Sequence, residues 1–332
     1  MKIGVLHDYA DVFRRSAAAA KLKGHQVKVH TGTDKEPARL VEILSDCDAA
    51  VFTQQRVAFP RAAIERLPKL RFISQTGRNA YHIDLEACTE RGILVSAGGV
   101  AGPVGDQAGN FASTVELTFG MMIDSMRRMT YEIERFKEGH WQSTVGDRLF
   151  GKTLGVYAYG HIGKSVARVG QAFGMKVLCW GRDASTAKAR ADGYHVAASR
   201  EAFYETCDVV SLHLPANKET YGIVTAQDLA RMKPTALIVN TSRAPLIDRD
   251  TLVEALKKGR PGFAATDVYE EEPVVGADHP LLKLPNALCV PHLGYNDREG
   301  FERFYESAVE QLLAYASGKP INVINPEALK KA

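Results

Sequence analysis

Along most of the chain, short runs of apolar residues alternate with longer stretches in which apolar residues recur every three or four positions. The first pattern is typical of buried strands and the second of amphipathic helices. Since strands separated by helices pair in parallel, the alternation predicts an α/β fold. In the first part of the chain it predicts strands at Ile3–Leu6, Gln26–Val29, Ala49–Phe52, Phe72–Ser74 and Ile93–Val95, and helices at Val12–Lys23, Ala38–Leu44, Arg61–Leu67 and Leu85–Glu90.

A second series begins after a glycine-rich segment without periodicity, Ser96–Ala108. We expect one long helix over Thr114–Glu138, ended by Gly139, and a final helix over Arg298–Ser317, followed by the stop signals Gly318 and Pro320. Between these helices the pattern predicts strands at Thr153–Tyr159, Lys176–Trp180, Val209–Leu212, Ala236–Asn240, Ala264–Val268 and Leu288–Val290.

The length and composition fit a globular protein. With 332 residues, about two domains are expected. An apolar content of 45% with 24% charged residues excludes a disordered or collagen-like chain. There are 42 basic and 39 acidic side chains, so the formal net charge is only +3. Because this balance provides no basic surface, we expect neither a nucleic acid nor a membrane as partner.

The cysteines argue for a reducing compartment. The five cysteines are far apart and form no CxxC or Cys/His pair, so we expect neither a disulfide framework nor a metal site. Residues 1–6 have the pattern of a strand, which leaves no place for a signal peptide. No apolar run approaches the roughly 20 residues that span a bilayer. We therefore expect a cytoplasmic protein.

A dinucleotide-binding motif follows the first strand of the second series. Ala158-Tyr159-Gly160-His161-Ile162-Gly163 is G-x-G-x-x-G with alanine in place of the first glycine, and a helical pattern comes next. Gly160 would let the backbone approach a pyrophosphate, and Gly163 would let the helix pack close to the sheet. The alternative is an ordinary glycine-containing turn. The order of strand, turn and helix favours cofactor binding.

The end of the next strand bears on the choice between the two nicotinamide cofactors. Gly181-Arg182-Asp183 stands where an NAD enzyme places an acidic residue for the ribose 2′-hydroxyl. A glycine leaves space for a 2′-phosphate, and Arg182 can form charge-assisted hydrogen bonds to it. This pattern favours NADP(H) over NAD(H). In the alternative interpretation, Arg182 is a solvated charge and Asp183 binds the ribose of NAD.

Ionisable residues follow the last three predicted strands. Arg243 follows one, Glu270-Glu271-Glu272 the next, and His292 the last. Such a set suits hydride transfer to a 2-keto acid: arginine binds the carboxylate, histidine supplies the proton, and a carboxylate orients the imidazolium. Singly, Arg243 could cap a loop, His292 could be a core histidine, and the glutamates could form a solvated face. As a set beyond a dinucleotide motif, they favour catalysis.

Three sequence blocks resemble the D-isomer-specific 2-hydroxyacid dehydrogenase family. They are Asn240-Thr241-Ser242-Arg243 followed by Asp248, Asp267-Val268-Tyr269 with Glu272-Pro273, and Pro291-His292-Leu293-Gly294. The resemblance extends over essentially the whole chain. It implies that Arg243 binds the substrate, that His292 is the acid/base, and that Glu272, rather than Glu270 or Glu271, is the partner of His292.

The resemblance also implies the binding residues. Within the glycine-rich loop Thr76–Asp84, Gly77, Arg78 and Asn79 would bind the substrate, and the backbone N–H groups of the latter two would bind its carboxylate. Asp267 would contact the nicotinamide carboxamide. Together with Arg182, the expected cofactor-binding residues are Gly160, His161, Ile162, Gly163, His213, Pro215, Thr220, Thr241, Ser242, Asp267 and Gly294.

The implied architecture has two Rossmann-like or flavodoxin-like domains with parallel sheets. A cofactor domain of residues 99–291 would be inserted into a discontinuous substrate domain of residues 1–98 and 292–332. Members of the family usually dimerise through the cofactor domain, so we expect a homodimer. On this basis we expect a dehydrogenase that uses NAD(P)H, with NADP(H) favoured, to reduce a small 2-keto acid to a D-2-hydroxy acid.

Several positions depart from the family pattern. Ala158 and Ala244 replace glycines, Arg78-Asn79 replaces the common Val-Gly, and residues 98–110 form a longer segment than usual. Because the substrate loop is among these, glycerate, phosphoglycerate, lactate and glyoxylate types of substrate all stay open. Two other functions on the same fold are a formate- or phosphite-type dehydrogenase, which Glu272 disfavours, and a cofactor-sensing, co-repressor-like protein, which the intact catalytic set disfavours.

Overall fold

The computed structural model describes residues 1–98 and 111–330, and these form two compact units. Residues 1–98 and 297–330 make one unit, and residues 111–296 make the other. All but Gly98 of the long segment noted at residues 98–110 lies outside the described residues. The longer unit carries the dinucleotide motif and is called the cofactor unit below. The discontinuous one is called the loop unit, since it carries the glycine-rich loop.

The loop unit contains a five-stranded parallel sheet in the order β2-β1-β3-β4-β5. This is the flavodoxin-like order. Its strands are β1 (Lys2–Leu6), β2 (Gln26–Val29), β3 (Ala49–Phe52), β4 (Phe72–Gln75) and β5 (Leu94–Ala97). β3 is buried along its whole length. Its helices are α1 (Pro37–Leu44), α2 (Arg61–Ile64), α3 (Leu85–Glu90) and, from the C-terminal part of the chain, α11 (Arg298–Ala316).

The prediction of one helix over Val12–Lys23 is wrong. The structure has two short 3₁₀ segments there, Phe13–Arg15 and Ala19–Leu22. Ser16 lies between them, and its hydroxyl donates to the carbonyl of Phe13 and accepts from the N–H of Ala19. A serine side chain that competes in this way for backbone groups interrupts a helix. The predicted helix at Arg61–Leu67 is also shorter, ending at Ile64.

The cofactor unit contains a seven-stranded parallel sheet in the order β12-β11-β10-β9-β6-β7-β8. From β6 the chain adds β7 and β8 on one side of the sheet, and then returns to add β9 to β12 on the other side. The boundary between β6 and β9 is therefore the topological switch at which open α/β sheets bind their ligands. The strands are β6 (Thr153–Tyr157), β7 (Lys176–Trp180), β8 (His195–Val196), β9 (Val209–Leu212), β10 (Leu237–Asn240), β11 (Phe263–Thr266) and β12 (Ala287–Cys289). Its helices are α4 (Ala112–Arg127), α5 (Met129–Lys137), α6 (His161–Ala172), α7 (Asp183–Ala191), α8 (Arg200–Thr206), α9 (Ala226–Arg231) and α10 (Arg249–Lys257).

Alternate residues of the central strands pack on opposite faces of this sheet. Val209 and Val239 belong to one apolar cluster, and Val210 and Ile238 belong to the other. Burial of both faces explains why these strands are continuous apolar runs in the sequence. The predicted α/β fold with two parallel sheets is confirmed.

The expected single helix over Thr114–Glu138 is two helices. The helix is interrupted at Arg128, whose backbone is left-handed, with φ at 54°. The carboxylate of Asp124 then accepts hydrogen bonds from the N–H and hydroxyl of Thr130, at 2.8 and 2.6 Å. These bonds satisfy a free N–H at the start of α5, so the helix axis can change direction there.

The boundary between the units also differs from the expected one. We expected the cofactor domain to end at residue 291, whereas residues 292–296 lie with the cofactor unit. The reason is a set of hydrogen bonds from the N–H groups of Leu293 and Gly294 to Asp267. In the part of the chain that the structure describes, no helix is both long enough and apolar enough to span a membrane.

Candidate active site

The turn between β6 and α6 carries the dinucleotide motif. Gly160 precedes the first helical residue, and a methyl group built on its Cα would meet no atom within 4 Å. On Gly163, near the start of the helix, a methyl group would overlap the carbonyl oxygen of Ala158. The turn thus leaves open space before the helix and packs tightly behind it, as a pyrophosphate site requires.

Ala158 stands at the first glycine position of the motif and has the left-handed backbone of a glycine, with φ at 74°. This conformation costs a non-glycine residue roughly 1–2 kcal/mol. Two hydrogen bonds hold the turn: the N–H of Ala158 donates to the carbonyl of Trp180 at 2.8 Å, and the N–H of Tyr159 donates to Oγ of Ser185 at 2.6 Å. The alanine therefore preserves the geometry of the motif.

The N-terminus of α6 offers unpaired donors. The N–H of Lys164 donates to the carbonyl of Gly160 at 2.9 Å. Within residues 1–98 and 111–330, no acceptor is recorded for the N–H groups of His161, Ile162 and Gly163. Free N–H groups and the positive end of the helix dipole both attract phosphate. The predicted fingerprint residues therefore fit the phosphates of a dinucleotide.

The residues after β7 would face the adenosine end of such a cofactor. Gly181 carries no side chain there, and the side chain of Arg182 is 85% exposed. Its guanidinium lies 3.7 Å from the carboxylate of Glu219, which is also exposed. Ser185, which anchors Tyr159, lies one turn further along in α7. Because this ion pair is exposed on both sides, the arginine can exchange its carboxylate partner for a phosphate.

The loop after β9 contains three of the predicted cofactor residues. The N–H of His213 donates to the carbonyl of Tyr157 at 3.0 Å, which ties the loop to β6. Burial lowers the pKa of His213 to about 3, so its imidazole is neutral at physiological pH. Thr220 closes the loop, since its hydroxyl donates to the carbonyl of Pro215 at 2.6 Å.

The turn after β10 presents Arg243. Asn240 braces the turn: its Oδ1 accepts from the N–H of Ser242 at 3.1 Å, and its Nδ2 donates to the carbonyl of Arg243 at 2.9 Å. The hydroxyls of Thr241 and Thr118 lie 2.8 Å apart in a buried contact with α4. The Arg243 guanidinium is exposed and donates to the carbonyl of Ser242 at 2.7 Å. The backbone is thus fixed while the charged group faces solvent.

Glu272 and His292 form the closest ionisable pair of the site. Nδ1 of His292 lies 2.5 Å from Oε2 of Glu272, and Oε1 of Glu272 accepts from the N–H of Tyr269 at 2.9 Å. The side chain of His292 is 30% exposed and that of Glu272 is 33% exposed. Both carboxylate oxygens are therefore engaged and the imidazole is oriented, and no partner of Nε2 of His292 is recorded in the described part of the chain.

The other two glutamates of the acidic run have different surroundings. Glu270 pairs with His279, with 3.1 Å between Oε2 and Nε2. Glu271 is exposed. Of the three carboxylates, only that of Glu272 lies against His292 in the described part of the chain.

Asp267 lies just beyond β11 and is 1% exposed. Its Oδ1 accepts from the N–H of Leu293 at 2.5 Å, and its Oδ2 accepts from the N–H of Gly294 at 2.8 Å. Thr114 in α4 donates to the carbonyl of Gly294 at 2.7 Å. Asp267 and Gly294, which are both expected to contact the cofactor, are therefore hydrogen-bonded to each other.

The sheet explains how these residues meet. β10, β11 and β12 are parallel neighbours, so the turns after them lie at one edge. The structure brings His292 together with Glu272, and Asp267 together with the residues after His292. Among the described residues, no recorded contact joins Arg243 to either pair.

The glycine-rich loop belongs to the loop unit and is braced by glutamines. The carbonyl of Asn79 accepts from Nε2 of Gln55 and from Nε2 of Gln75, each at 3.2 Å, and Oγ1 of Thr76 accepts from the N–H of Gln54 at 2.8 Å. For residues 77–79 no acceptor of the backbone N–H groups is recorded in the described ranges. A loop whose Asn79 carbonyl is held by side chains and whose N–H groups have no recorded acceptor in the described ranges suits an anion such as a carboxylate.

Sequence reasoning missed the residues that brace these turns. They are Asn240 and Thr118 in the cofactor unit, and Gln54, Gln55 and Gln75 in the loop unit. Asn240 carried one signal, being a polar residue at the end of an apolar strand. The glutamines carried none, because their contacts depend on which loops are adjacent. No cluster of three or more metal-ligating side chains occurs in the described part of the chain.

Comparison with known proteins places this geometry in a family. Residues 119–294 match the model of the "D-isomer specific 2-hydroxyacid dehydrogenase, NAD binding domain". A glyoxylate reductase from Thermococcus litoralis is 32% identical over 307 residues, which are 89% of each chain. A D-3-phosphoglycerate dehydrogenase from Methanocaldococcus jannaschii is 34% identical over 90% of this chain and 55% of its own length.

A solved structure agrees. An oxidoreductase from Ralstonia solanacearum superimposes with a TM-score of 0.90 at 43% identity, over 99% of this chain and 98% of its own. The family match, the two sheets and the turns at their carboxyl edges are consistent with one another. The chain therefore belongs to the D-isomer-specific 2-hydroxyacid dehydrogenase family and is an oxidoreductase that acts on 2-hydroxy acids with a nicotinamide cofactor.

Proposed function

We propose that the protein reduces a small 2-keto acid reversibly to the D-2-hydroxy acid, with His292 as the acid/base. The observation that carries this proposal is the contact of 2.5 Å between His292 and Glu272 at the carboxyl edge of the cofactor sheet. A paired imidazole with one free nitrogen is the group that proton transfer to an alkoxide requires.

The nicotinamide, when bound, supplies the hydride that adds to C2 of the keto acid. Arg243 binds the substrate carboxylate and polarises the carbonyl, because a guanidinium forms two parallel hydrogen bonds to a carboxylate. In the loop unit, the N–H groups of residues 77–79, which have no recorded acceptor in the described ranges, suit an anionic group of the substrate. His292 gives the proton from Nε2 to the new alkoxide, and Glu272 balances the charge of the imidazolium in the reverse step.

The test is an absorbance assay of reduced cofactor against hydroxypyruvate, glyoxylate, pyruvate and phenylpyruvate. We expect turnover with at least one of them, and a loss in kcat of about 10²–10⁴-fold for H292A. H195A is the matched control, since His195 is an exposed histidine in the same unit. Activity of H292A near that of wild type would refute the assignment. Absence of turnover with every keto acid, despite cofactor binding, would refute the activity itself.

For the cofactor, we propose that NADP(H) is preferred. Support comes from the missing carboxylate at Gly181 and from the exposed guanidinium of Arg182. R182A should lower kcat/KM for NADPH about 10-fold or more, while NADH is nearly unaffected, because charge-assisted hydrogen bonds to the 2′-phosphate are lost. R190A, at the other end of α7, is the control. If the ratio of kcat/KM for NADPH to kcat/KM for NADH were the same in R182A as in wild type, the proposed role of Arg182 would be refuted.

We also propose that the protein forms a homodimer through α5. No residue of this helix is buried, although it carries Ile133 and Phe136, and the nearby Trp141 is 76% exposed. An apolar face of this kind is typical of an interface.

Sedimentation tests the dimer. The double variant F136S/W141S should sediment as a monomer at concentrations at which wild type is a dimer. Y221S, which replaces an exposed aromatic residue elsewhere in the cofactor unit, should remain dimeric. A monomeric wild type, or an unchanged dimer in the double variant, would refute the proposal.

A further inference from the structure

The backbone at His292 is unusual for a residue that must be placed accurately. Its φ is 50°, in the left-handed region, and its N–H donates to the carbonyl of Val290 at 3.0 Å. A side chain with Cβ in this region is strained by roughly 1–2 kcal/mol. Such a conformation persists only where the surrounding structure fixes it.

Asp267 supplies that constraint. The two residues that follow His292, Leu293 and Gly294, each donate a backbone hydrogen bond to a different oxygen of its carboxylate, at 2.5 and 2.8 Å. The contact is close, since a methyl group on Gly294 would lie 2.9 Å from Oδ2. On the other side of the peptide, the hydroxyl of Thr114 donates to the carbonyl of Gly294.

We infer that Asp267 is a positioning residue: its ionised carboxylate accepts both N–H groups and so holds the left-handed turn in which His292 meets Glu272. This inference rests on the proposed function only for the role of His292 in catalysis. The positioning is a property of the turn itself. It goes beyond a contact with the nicotinamide, because it assigns to Asp267 a task that is present without cofactor.

The charge state of Asp267 decides how well it can do this. An ionised carboxylate has acceptors at both oxygens, whereas the protonated form turns one oxygen into a donor that faces an N–H group. The ionisable groups that act on it are His292, Glu272 and Tyr269, and no ion pair with lysine or arginine is recorded for it in the described residues.

Burial raises the pKa of Asp267 to about 6, although the two N–H donors and His292 oppose this shift. The direction gives the sign of the pH effect. As the pH falls through about 6, the carboxyl takes up a proton and one of the two hydrogen bonds is lost. The turn at His292 should therefore loosen on the acid side, while the remainder of the fold is retained.

Hydrogen exchange followed by NMR tests the inference without turnover. In wild type, protection of the Leu293 and Gly294 amides should fall about 10- to 100-fold when the pH is lowered through 6, as expected for loss of a charge-assisted hydrogen bond. D267N should show low protection at both pH values. D248N is the control, because Asp248 accepts an N–H at the start of α10, far along the chain from this turn.

Kinetics provides the second measurement. In wild type, kcat should fall as the pH falls through about 6, and in D267N kcat should be about 10- to 100-fold lower. The exchange experiments are run without NAD(P)H, so a simple loss of a cofactor contact would not produce the loss of amide protection in D267N. Equal protection in wild type and D267N, or protection that is independent of pH, would overturn the inference. If D267N does not fold, the wild-type pH series decides. If no keto acid turns over, the exchange data still decide.

Discussion

Gly163 offers a direct test of how closely α6 approaches the dinucleotide turn. In G163A, the added methyl group would overlap the carbonyl oxygen of Ala158 and lie 3.2 Å from Cγ1 of Val156. The first of these is backbone, so it cannot be relieved by a change of rotamer. Overpacking of this kind costs about 3 kcal/mol at the upper end of its usual range.

Part of that cost is offset, because alanine is about 1 kcal/mol better than glycine in a helix. The net expectation for G163A is a loss of about 2 kcal/mol in the free energy of unfolding. The same change at Gly120 in α4 is the matched control, since a methyl group there meets no atom within 4 Å. G120A should be stabilised by about 0.5–1 kcal/mol.

Urea unfolding of both variants measures the two free energies. G163A should in addition bind NAD(P)H more weakly, because the helix must move away from the turn that holds the phosphates. Stabilisation of G163A to the same extent as G120A would show that helix and turn are not in contact, and would refute the reasoning for the whole motif.

Three further expectations concern separate parts of the site. G160A should leave the free energy of unfolding within about 1 kcal/mol of wild type, because its methyl group enters open space, yet raise the Kd for NAD(P)H measured by fluorescence titration. E272Q leaves one acceptor for two donors, so kcat should fall about 10- to 100-fold in steady-state assays, while E270Q changes it little. Arg78 is exposed and forms no recorded ion pair in the described ranges, so R78A should raise the KM for keto acids with a second negative charge more than the KM for singly charged ones. Equal effects on both substrate classes would exclude that role for Arg78.

The sequence predicted the parts of the fold that depend on local pattern. Strands such as Val209–Leu212 are continuous apolar runs because the sheet is covered on both faces, and α11 was recognised by its period and its stop signals. The two wrong helices have local causes that the pattern conceals. A hydroxyl at Ser16 and a left-handed residue at Arg128 each interrupt an otherwise helical period.

The site residues that belong to recognisable sequence motifs could be predicted. The order of arginine, carboxylate and histidine nominated His292 and an acidic run of three glutamates, and the family resemblance selected Glu272 among them. The structure places Glu272 and His292 2.5 Å apart. The task that we infer for Asp267 was not visible, because it depends on the direction of two N–H groups from another turn. The glutamines that brace the glycine-rich loop come from β4 and from the turn after β3, and their proximity can be inferred only once the strand order is known.

The strand order of the cofactor sheet places the turn that suits the phosphates and the turns that carry the ionisable residues in different halves of the sheet. The turn that suits the phosphates is fastened to β7 and to Ser185 of α7, on one side of β6, whereas the turns that carry Arg243, Glu272 and His292 follow β10 to β12 on the other. Within residues 1–98 and 111–330, no hydrogen bond is recorded between residues 181–183 and Arg243, Glu272 or His292, so substitutions in the two halves should combine additively. On the proposed function, substitutions at residues 181–183 should change cofactor preference without changing proton transfer, so the two properties should be separable in evolution and in engineering.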